Sequence, residues 1–550
     1  MTQHWLRLGT TLAATLLAAA LPAGAQGADR PTGVAVDVDV IHYNLALTLP
    51  DTGHTISGVS TMLIRARAEG RSVAVDILLT VDSVKVNGAP ATFARRDGGV
   101  TVPLGAAADS VRVAVFYHGV PADGLIISKD PQGRWQAFGD NWPDRARHWI
   151  AVVDEPGDKA TVSWTIDAPT ELTVIANGVR TDSSQSAGRP WRSVSKWDER
   201  HPIATYLMVI AAAPLRVEPI PSTKCVARQE GGCVAQTVYL SKDAQPGLPA
   251  AFADAEGIVA FYASIIGPFP YEKLAHVQST TRFGGMENAT AIFYADNLFR
   301  SGTISSGIVA HETAHQWFGD AVTESEWPHL WLSEGFATYF AELWAERAHG
   351  RDTLVAHMRS MRGRLLADST VVTRRPVIDT TAPSLMSLLN ANSYEKGGYV
   401  LHMARRLVGD SAFFRGIRGY YAGHRDGNAT TDDLRRAMEG ASGRDLGWFF
   451  DQWLRQPGYP ELETSWSYDP REQRVYLQIA QRRRFGNFRL PLVVELVRKN
   501  GSMLRATVEV PAQSDSRIVV PIDLDGPPAR VILDPDANLL AAISQPHRQR

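Results

Sequence analysis

Cysteine is nearly absent: Cys225 and Cys233 are the only two in 550 residues. So low a count excludes a disulfide-built scaffold and a cysteine-rich zinc cluster. An excess of one charge is missing too. Lysine and arginine (56) nearly balance aspartate and glutamate (58), giving a formal net charge of −2, and no long run of either sign occurs. No nucleic-acid or acidic-membrane partner is therefore expected. There is no internal repeat, and beyond the first residues no low-complexity tract. No apolar run reaches the ~20 residues of a membrane span, so no stable span is expected.

What apolar run there is lies at the start. Arg7 and the amino terminus supply positive charge, Leu12 to Leu21 is almost wholly apolar, and Ala23-Gly24-Ala25 has the small residues of a cleavage site. Residues 1–25 read as a secretory signal peptide, so the protein is expected to be exported, periplasmic or secreted. No cysteine follows closely, which argues against a lipid anchor. In an oxidising compartment Cys225 and Cys233, flanking Gly231-Gly232, are expected to close a surface hairpin by a disulfide.

With 44% hydrophobic residues and a length beyond the roughly 250–300 residues at which single cores stop growing, the chain calls for several domains. Strand-like alternation runs from about Val38 to Pro214, as in Ile41, Tyr43, Leu45, Leu47, Leu49 and in Val111, Val113, Val115, Tyr117. Helical spacing then takes over at Ala250 to Ile265, Gly307 to Phe318, Ser333 to Arg347, Gly398 to Leu407 and Asp432 to Met438. Past Gln456-Pro457-Gly458 the period returns to two, in Val475, Leu477, Ile479 and in Leu490 to Val497. The expected organisation is multidomain α+β: an N-terminal β domain (26–220), a helical or α+β domain (221–456) and a closing β-sandwich (457–550).

The chemistry concentrates in the middle. His311-Glu312-Thr313-Ala314-His315 falls in a helical stretch, so its two histidines project from one face as metal ligands. Glu312, beside the first ligand, is placed to act as general base. Glu334, in Trp331-Leu332-Ser333-Glu334-Gly335-Phe336-Ala337, opens another apolar helix and offers the third ligand that a catalytic zinc needs. A helix-dipole role for Glu334 leaves its apolar surroundings unexplained. Gly284-Gly285-Met286-Glu287-Asn288 would let an extended substrate backbone approach, with Glu287 offering negative charge to a free amine. Tyr394, in Ser393-Tyr394-Glu395-Lys396-Gly397-Gly398, could donate its phenol proton to a developing oxyanion.

These elements, in the order GGMEN, HETAHQWFGD, WLSEGFA and YEKGG, resemble the gluzincin aminopeptidase family that includes aminopeptidase N and leukotriene hydrolase. The likeness extends to Asp154-Glu155-Pro156 and Asp158-Lys159-Ala160, and to Phe450-Asp451-Gln452-Trp453-Leu454 with Pro457-Gly458-Tyr459-Pro460. It implies a saddle-like β domain, a thermolysin-like catalytic domain and a β-sandwich. It also implies one zinc ion on His311, His315 and Glu334, Glu312 as base and Glu287 gripping the substrate amine. Gly284 and Gly285 would line the peptide, and Tyr394 would stabilise the oxyanion. The expected partner is a peptide with a free amino terminus.

Two departures qualify the resemblance. Trp142 stands where the family usually places a Glu or Gln that helps to hold the amine, leaving Asp140 or Asn141 as substitutes. The large α-helical domain that caps the site in many relatives is absent after the sandwich, and an open site for longer peptides is the expectation. Three other functions compete: a zinc endopeptidase, an epoxide hydrolase, and a silent scaffold on the same fold. The endopeptidase is the nearest rival, and Glu287 is the residue that discriminates against it.

Overall fold

A computed structural model describes residues 38–66, 72–105, 110–223 and 225–548. The expected signal peptide, 1–25, lies outside the described residues. The chain forms two compact units. The first runs up to Trp327 and takes in Ser384–Met386 and Tyr421–Thr430; the second comprises Pro328–Pro383, Ser387–Tyr420 and the chain from Thr431.

The first unit opens with the strand Val38–Thr48, which sits inside an eight-stranded sheet. It pairs antiparallel with Ile56–Ala66 and parallel with Ala160–Pro169. The expected alternation holds for Tyr43, Leu45, Leu47 and Leu49, all buried, but not for Ile41. Register shifts between Val40 and His42, and ahead of that point the buried side chains are Val38 and Val40. The extra residue of a β-bulge inverts the face that the chain presents, and Ile41 is that residue. The strand Val111–Gly119 is regular, with Val111, Val113, Val115 and Tyr117 all buried.

A five-stranded sheet carries the unit toward the helical chemistry. Its order is Leu215–Pro219, Ala235–Ser241, Lys273–Ser279, Ala291–Ala295 and, at the edge, Gly285–Met286. Ala291–Ala295 is buried at every position and Lys273–Ser279 at all but the first. This is why neither alternates in sequence: strands in parallel pairing are covered on both faces. The hairpin before Ala235–Ser241 is closed by a Cys225–Cys233 disulfide, with Cα atoms 4.9 Å apart. Gly231 and Gly232 turn it at φ +85° and +78°, a region that suits glycine.

The second unit holds the helices Trp331–His349, Arg351–Ala367, Gly397–Val408, Thr431–Ser442 and Gly447–Leu454. The strands Arg474–Gln481 and Leu490–Val497 then belong to two different sheets. Their alternating residues Val475, Leu477 and Ile479, and Leu490, Leu492, Val494 and Leu496, are all buried. That is the pattern of a β-sandwich core. Among the described residues no helix is long and apolar enough to cross a membrane.

Candidate active site

The HExxH segment forms the helix Ser306–His315, started by Ser305, whose side chain accepts from the Ile308 amide. Sequence spacing predicts a helix continuing to Phe318, but it stops at His315. The Asp320 amide bonds back to the His315 carbonyl at 3.0 Å, and Gly319 takes φ +117°. This early stop has a chemical consequence, because the Phe318 carbonyl turns back onto His315 Nδ1 at 3.2 Å. Nδ1–H donates there, so Nε2 presents its lone pair. His311 Nε2 and His315 Nε2 lie 3.2 Å apart. A tetrahedral zinc with Zn–N bonds of about 2.0–2.1 Å holds two imidazole nitrogens roughly 3.3–3.4 Å apart. Spacing, tautomer and donor type therefore all fit zinc.

Two carboxylates share this region. One ligand atom each from Glu287, Glu312 and His315 lies within 4.8 Å of the others, and all three residues are buried. A Cβ on Gly285 would sit 2.0 Å from Glu312 Oε1, so the glycine leaves room for the Glu312 carboxylate. Gly285–Met286 pairs on one side with Ala291–Ala295, as Gly285 with Tyr294 and Met286 with Phe293, and it is the edge of its sheet. Gly284 contributes its carbonyl to the Ala295 amide at 3.1 Å. Asn288 is fully buried, and its side-chain amide makes no hydrogen bond among the described residues.

Residues with no role assigned from sequence hold this arrangement. Gln316 Nε2 donates to the Glu287 carbonyl and to Asp320 Oδ2, each at 2.8 Å, while Gln316 Oε1 accepts from the Thr290 amide at 2.9 Å. Lys159, of the DKA element, donates to the carbonyls of Asp320 and Ala321 at 2.8 and 2.9 Å. The β domain thus fixes the turn that ends the histidine helix. The signal in sequence was the position of Gln316 directly after the second histidine, but its partners are backbone atoms that spacing cannot reveal.

Trp142 is buried and meets Phe283 and Trp327 edge-on, with ring centroids 6.0 and 5.6 Å away. The structure commits both proposed substitutes elsewhere. Asn141 spends its amide on the Thr205 and Met208 carbonyls and accepts from Trp149 Nε1. Asp140 faces Arg145 and Arg282, each at 3.5 Å.

In the second unit Glu334 lies in the first turn of Trp331–His349 and is 5% exposed. Tyr394 sits in a single π turn, Asn392–Lys396, ahead of the helix Gly397–Val408. Its hydroxyl donates to Glu334 Oε1 at 2.8 Å. The structure thus brings together His311 with His315, His315 with Glu287 and Glu312, and Glu334 with Tyr394.

A β-rich N-terminal domain, a helical domain with an HExxH helix and a C-terminal β-sheet domain give the chain the fold class of the M1 zinc metallopeptidases. Residues 40–207 match the peptidase M1 N-terminal domain and residues 251–453 the peptidase family M1 domain. The chain belongs to the aminopeptidase N-like M1 family of gluzincins. It is 28% identical over 416 residues to Tricorn protease-interacting factor F2 of Thermoplasma acidophilum, covering 70% of this chain and 49% of that protein. Aminopeptidase N of Streptomyces lividans is 28% identical over 79% of this chain and 52% of its own length. The chain thus spans about half the length of these relatives. The M1 zinc metallopeptidase of Deinococcus radiodurans superposes with a TM-score of 0.66 at 25% identity, over 76% of this chain and 93% of its own. Legionella pneumophila aminopeptidase A shares the fold at a TM-score of 0.80 and 18% identity, over 93% of this chain and 60% of its own.

Proposed function

We propose that the protein is a zinc-dependent aminopeptidase that removes residues from the free amino terminus of peptides. The observation that carries this is the His311 and His315 Nε2 pair, 3.2 Å apart, with the His315 tautomer set by Phe318. We assign one zinc ion to His311, His315 and Glu334. When bound, zinc supplies Lewis acidity toward a carbonyl and brings the pKa of a water close to neutral. Glu312 takes the proton of the attacking water and passes it to the leaving amine. Gly284 and the edge strand Gly285–Met286 line the extended substrate backbone, as exposed edges do with added strands. Glu287 meets the substrate ammonium, and Tyr394 donates to the oxyanion as charge develops.

A carboxylate at the end of the cleft favours a free amine, which separates this function from that of a zinc endopeptidase. We further propose that catalysis resides in 221–456, flanked by the β domain 26–220 and the sandwich 457–550, and that the protein is exported, to the periplasm or the medium, once residues 1–25 are removed. The test is hydrolysis of aminoacyl anilides and of matched peptides with free and acetylated amino termini, by zinc-loaded and chelated protein. Zinc-dependent cleavage confined to free termini is the expected result. Cleavage of acetylated peptides would make the protein an endopeptidase, and no cleavage of either would sink the proposal.

A further inference from the structure

Buried polar atoms without a hydrogen bond are uncommon in folded proteins, and each asks for a partner. Several converge within the first unit, away from the histidine helix. Glu199 and His201 lie on the strand Arg192–Ile203, and Glu272 immediately precedes Lys273–Ser279. Backbone amides hold one oxygen of each glutamate: Arg200 N donates to Glu272 Oε1 and His201 N to Glu199 Oε1, both at 3.1 Å. Among the described residues no other side chain or backbone donor reaches their Oε2 atoms, although Glu272 is only 5% exposed and Glu199 wholly buried, and the two carboxyl groups are close enough to share a proton.

His201 is 7% exposed. Its Nδ1 faces Asp426 Oδ1 at 3.3 Å. Its Nε2 makes no hydrogen bond among the described residues, and Glu230 Oε1 stands 3.6 Å from it, too far for one. One donor atom each from His201, Glu230 and Glu272 lies within 4.8 Å of the other two.

The neighbouring cations are engaged elsewhere. Lys273 Nζ donates to the carbonyls of Ala176 and Thr290 and to Thr290 Oγ1. Arg228 bonds the Glu272 carbonyl rather than its carboxylate. Arg200 comes only within 4.0 Å of Glu230 and also faces Asp198.

We propose that His201, Glu230 and Glu272 form a second divalent-cation site, suited to zinc. Asp426 beside Nδ1 and Glu230 beside Nε2 set His201 among carboxylates that favour a proton on the ring, and a cation bound at Nε2 would take that proton's place. With the proton displaced, Nε2 and the two carboxylates are three acceptors that one cation satisfies. One imidazole and two carboxylates supply the nitrogen and oxygen donors that zinc accepts, with a fourth position left open. Glu230 lies in the disulfide-closed hairpin, so the ion ties that hairpin to the strand of His201 and the chain entering Lys273–Ser279. Glu230 is also exposed and can close the last few tenths of an ångström.

The test is the zinc content of full-length protein after equilibration with zinc and desalting, with Glu230→Gln as an exposed substitution that leaves hydrolysis unchanged. Two ions are expected in the unaltered protein, one in Glu230→Gln, one in His311→Ala, and none in the double variant. In the His311→Ala background, zinc should also raise the melting temperature, and Glu230→Gln should remove that rise. Equal zinc content with and without Glu230→Gln would overturn the site, as would be found if His201 merely held a proton against Glu230. Failure of the catalytic assignment reads differently: His311→Ala would then lose no ion, while Glu230→Gln still lost one.

Discussion

The Tyr394 hydroxyl donates to Glu334 Oε1 at 2.8 Å, linking a π turn to the helix that carries the proposed third ligand. The contact depends on glycine, since a Cβ on Gly335 would lie 2.9 Å from the Gly397 carbonyl carbon. Removing one preorganised oxyanion donor costs roughly 10²–10³-fold in kcat. Tyr394→Phe is therefore expected to lower kcat by about that factor, with KM nearly unchanged and zinc retained. Steady-state kinetics beside metal analysis check this. If kcat held and zinc content fell instead, the tyrosine would serve to orient Glu334.

Gly285→Ala tests the approach of strand to base. The new Cβ would sit 2.0 Å from Glu312 Oε1, with the strand held by its pairing to Tyr294. Either Glu312 swings away or the edge strand shifts. Because misplacement by about 1 Å can cost roughly 100-fold in rate, a loss of at least that size is expected, with zinc content intact. A variant with ordinary activity would show that the base acts from another position.

How much of this was legible in the sequence differs from residue to residue. His311, Glu312 and His315 could be read because a helix of 3.6 residues per turn puts i and i+4 on one face. The role of Phe318 could not, because its contribution is a carbonyl that reaches His315 only where the helix stops short. Gln316 was visible as a letter in HETAHQWFGD, yet its partners are the Glu287 carbonyl and the Thr290 amide, which no spacing rule encodes. Ile41 misled for a related reason. Alternation in sequence assumes an unbroken register, and a bulge inserts one residue without any change in composition. Asp140 and Asn141 were plausible amine partners by position, but burial among Arg145, Arg282 and backbone carbonyls gives them structural work.

Gln316→Ala should damage both stability and substrate affinity. It removes the acceptor for the wholly buried Thr290 amide and the donor to the Glu287 carbonyl. An unsatisfied buried group costs about 1–3 kcal/mol, so a loss of that order is expected in urea denaturation. KM for peptides with a free amino terminus should rise more than kcat falls, since Glu287, just past the edge strand, loses its tether. Unchanged KM with lowered stability would confine Gln316 to folding.

Lys396 supplies a pH test. It is wholly buried, its Nζ donates to the Gln456 carbonyl at 3.3 Å, and burial pushes its pKa down from 10.5 to about 7. In the unfolded chain the amine keeps its proton up to 10.5, whereas the folded protein releases it near 7. Across that window the unfolded state binds more protons, so this group makes stability rise with pH; below it, the cost of burying a charge is felt in full. Lys396→Met removes that cost along with one hydrogen bond. The substitution is expected to raise the urea midpoint most at about pH 6, with the advantage shrinking as pH climbs toward about 10. Parallel denaturation curves at several pH values decide it. A gain that stayed constant across the range, or a loss largest at low pH, would mean that the ammonium is solvated or paired in the folded protein rather than buried at a cost.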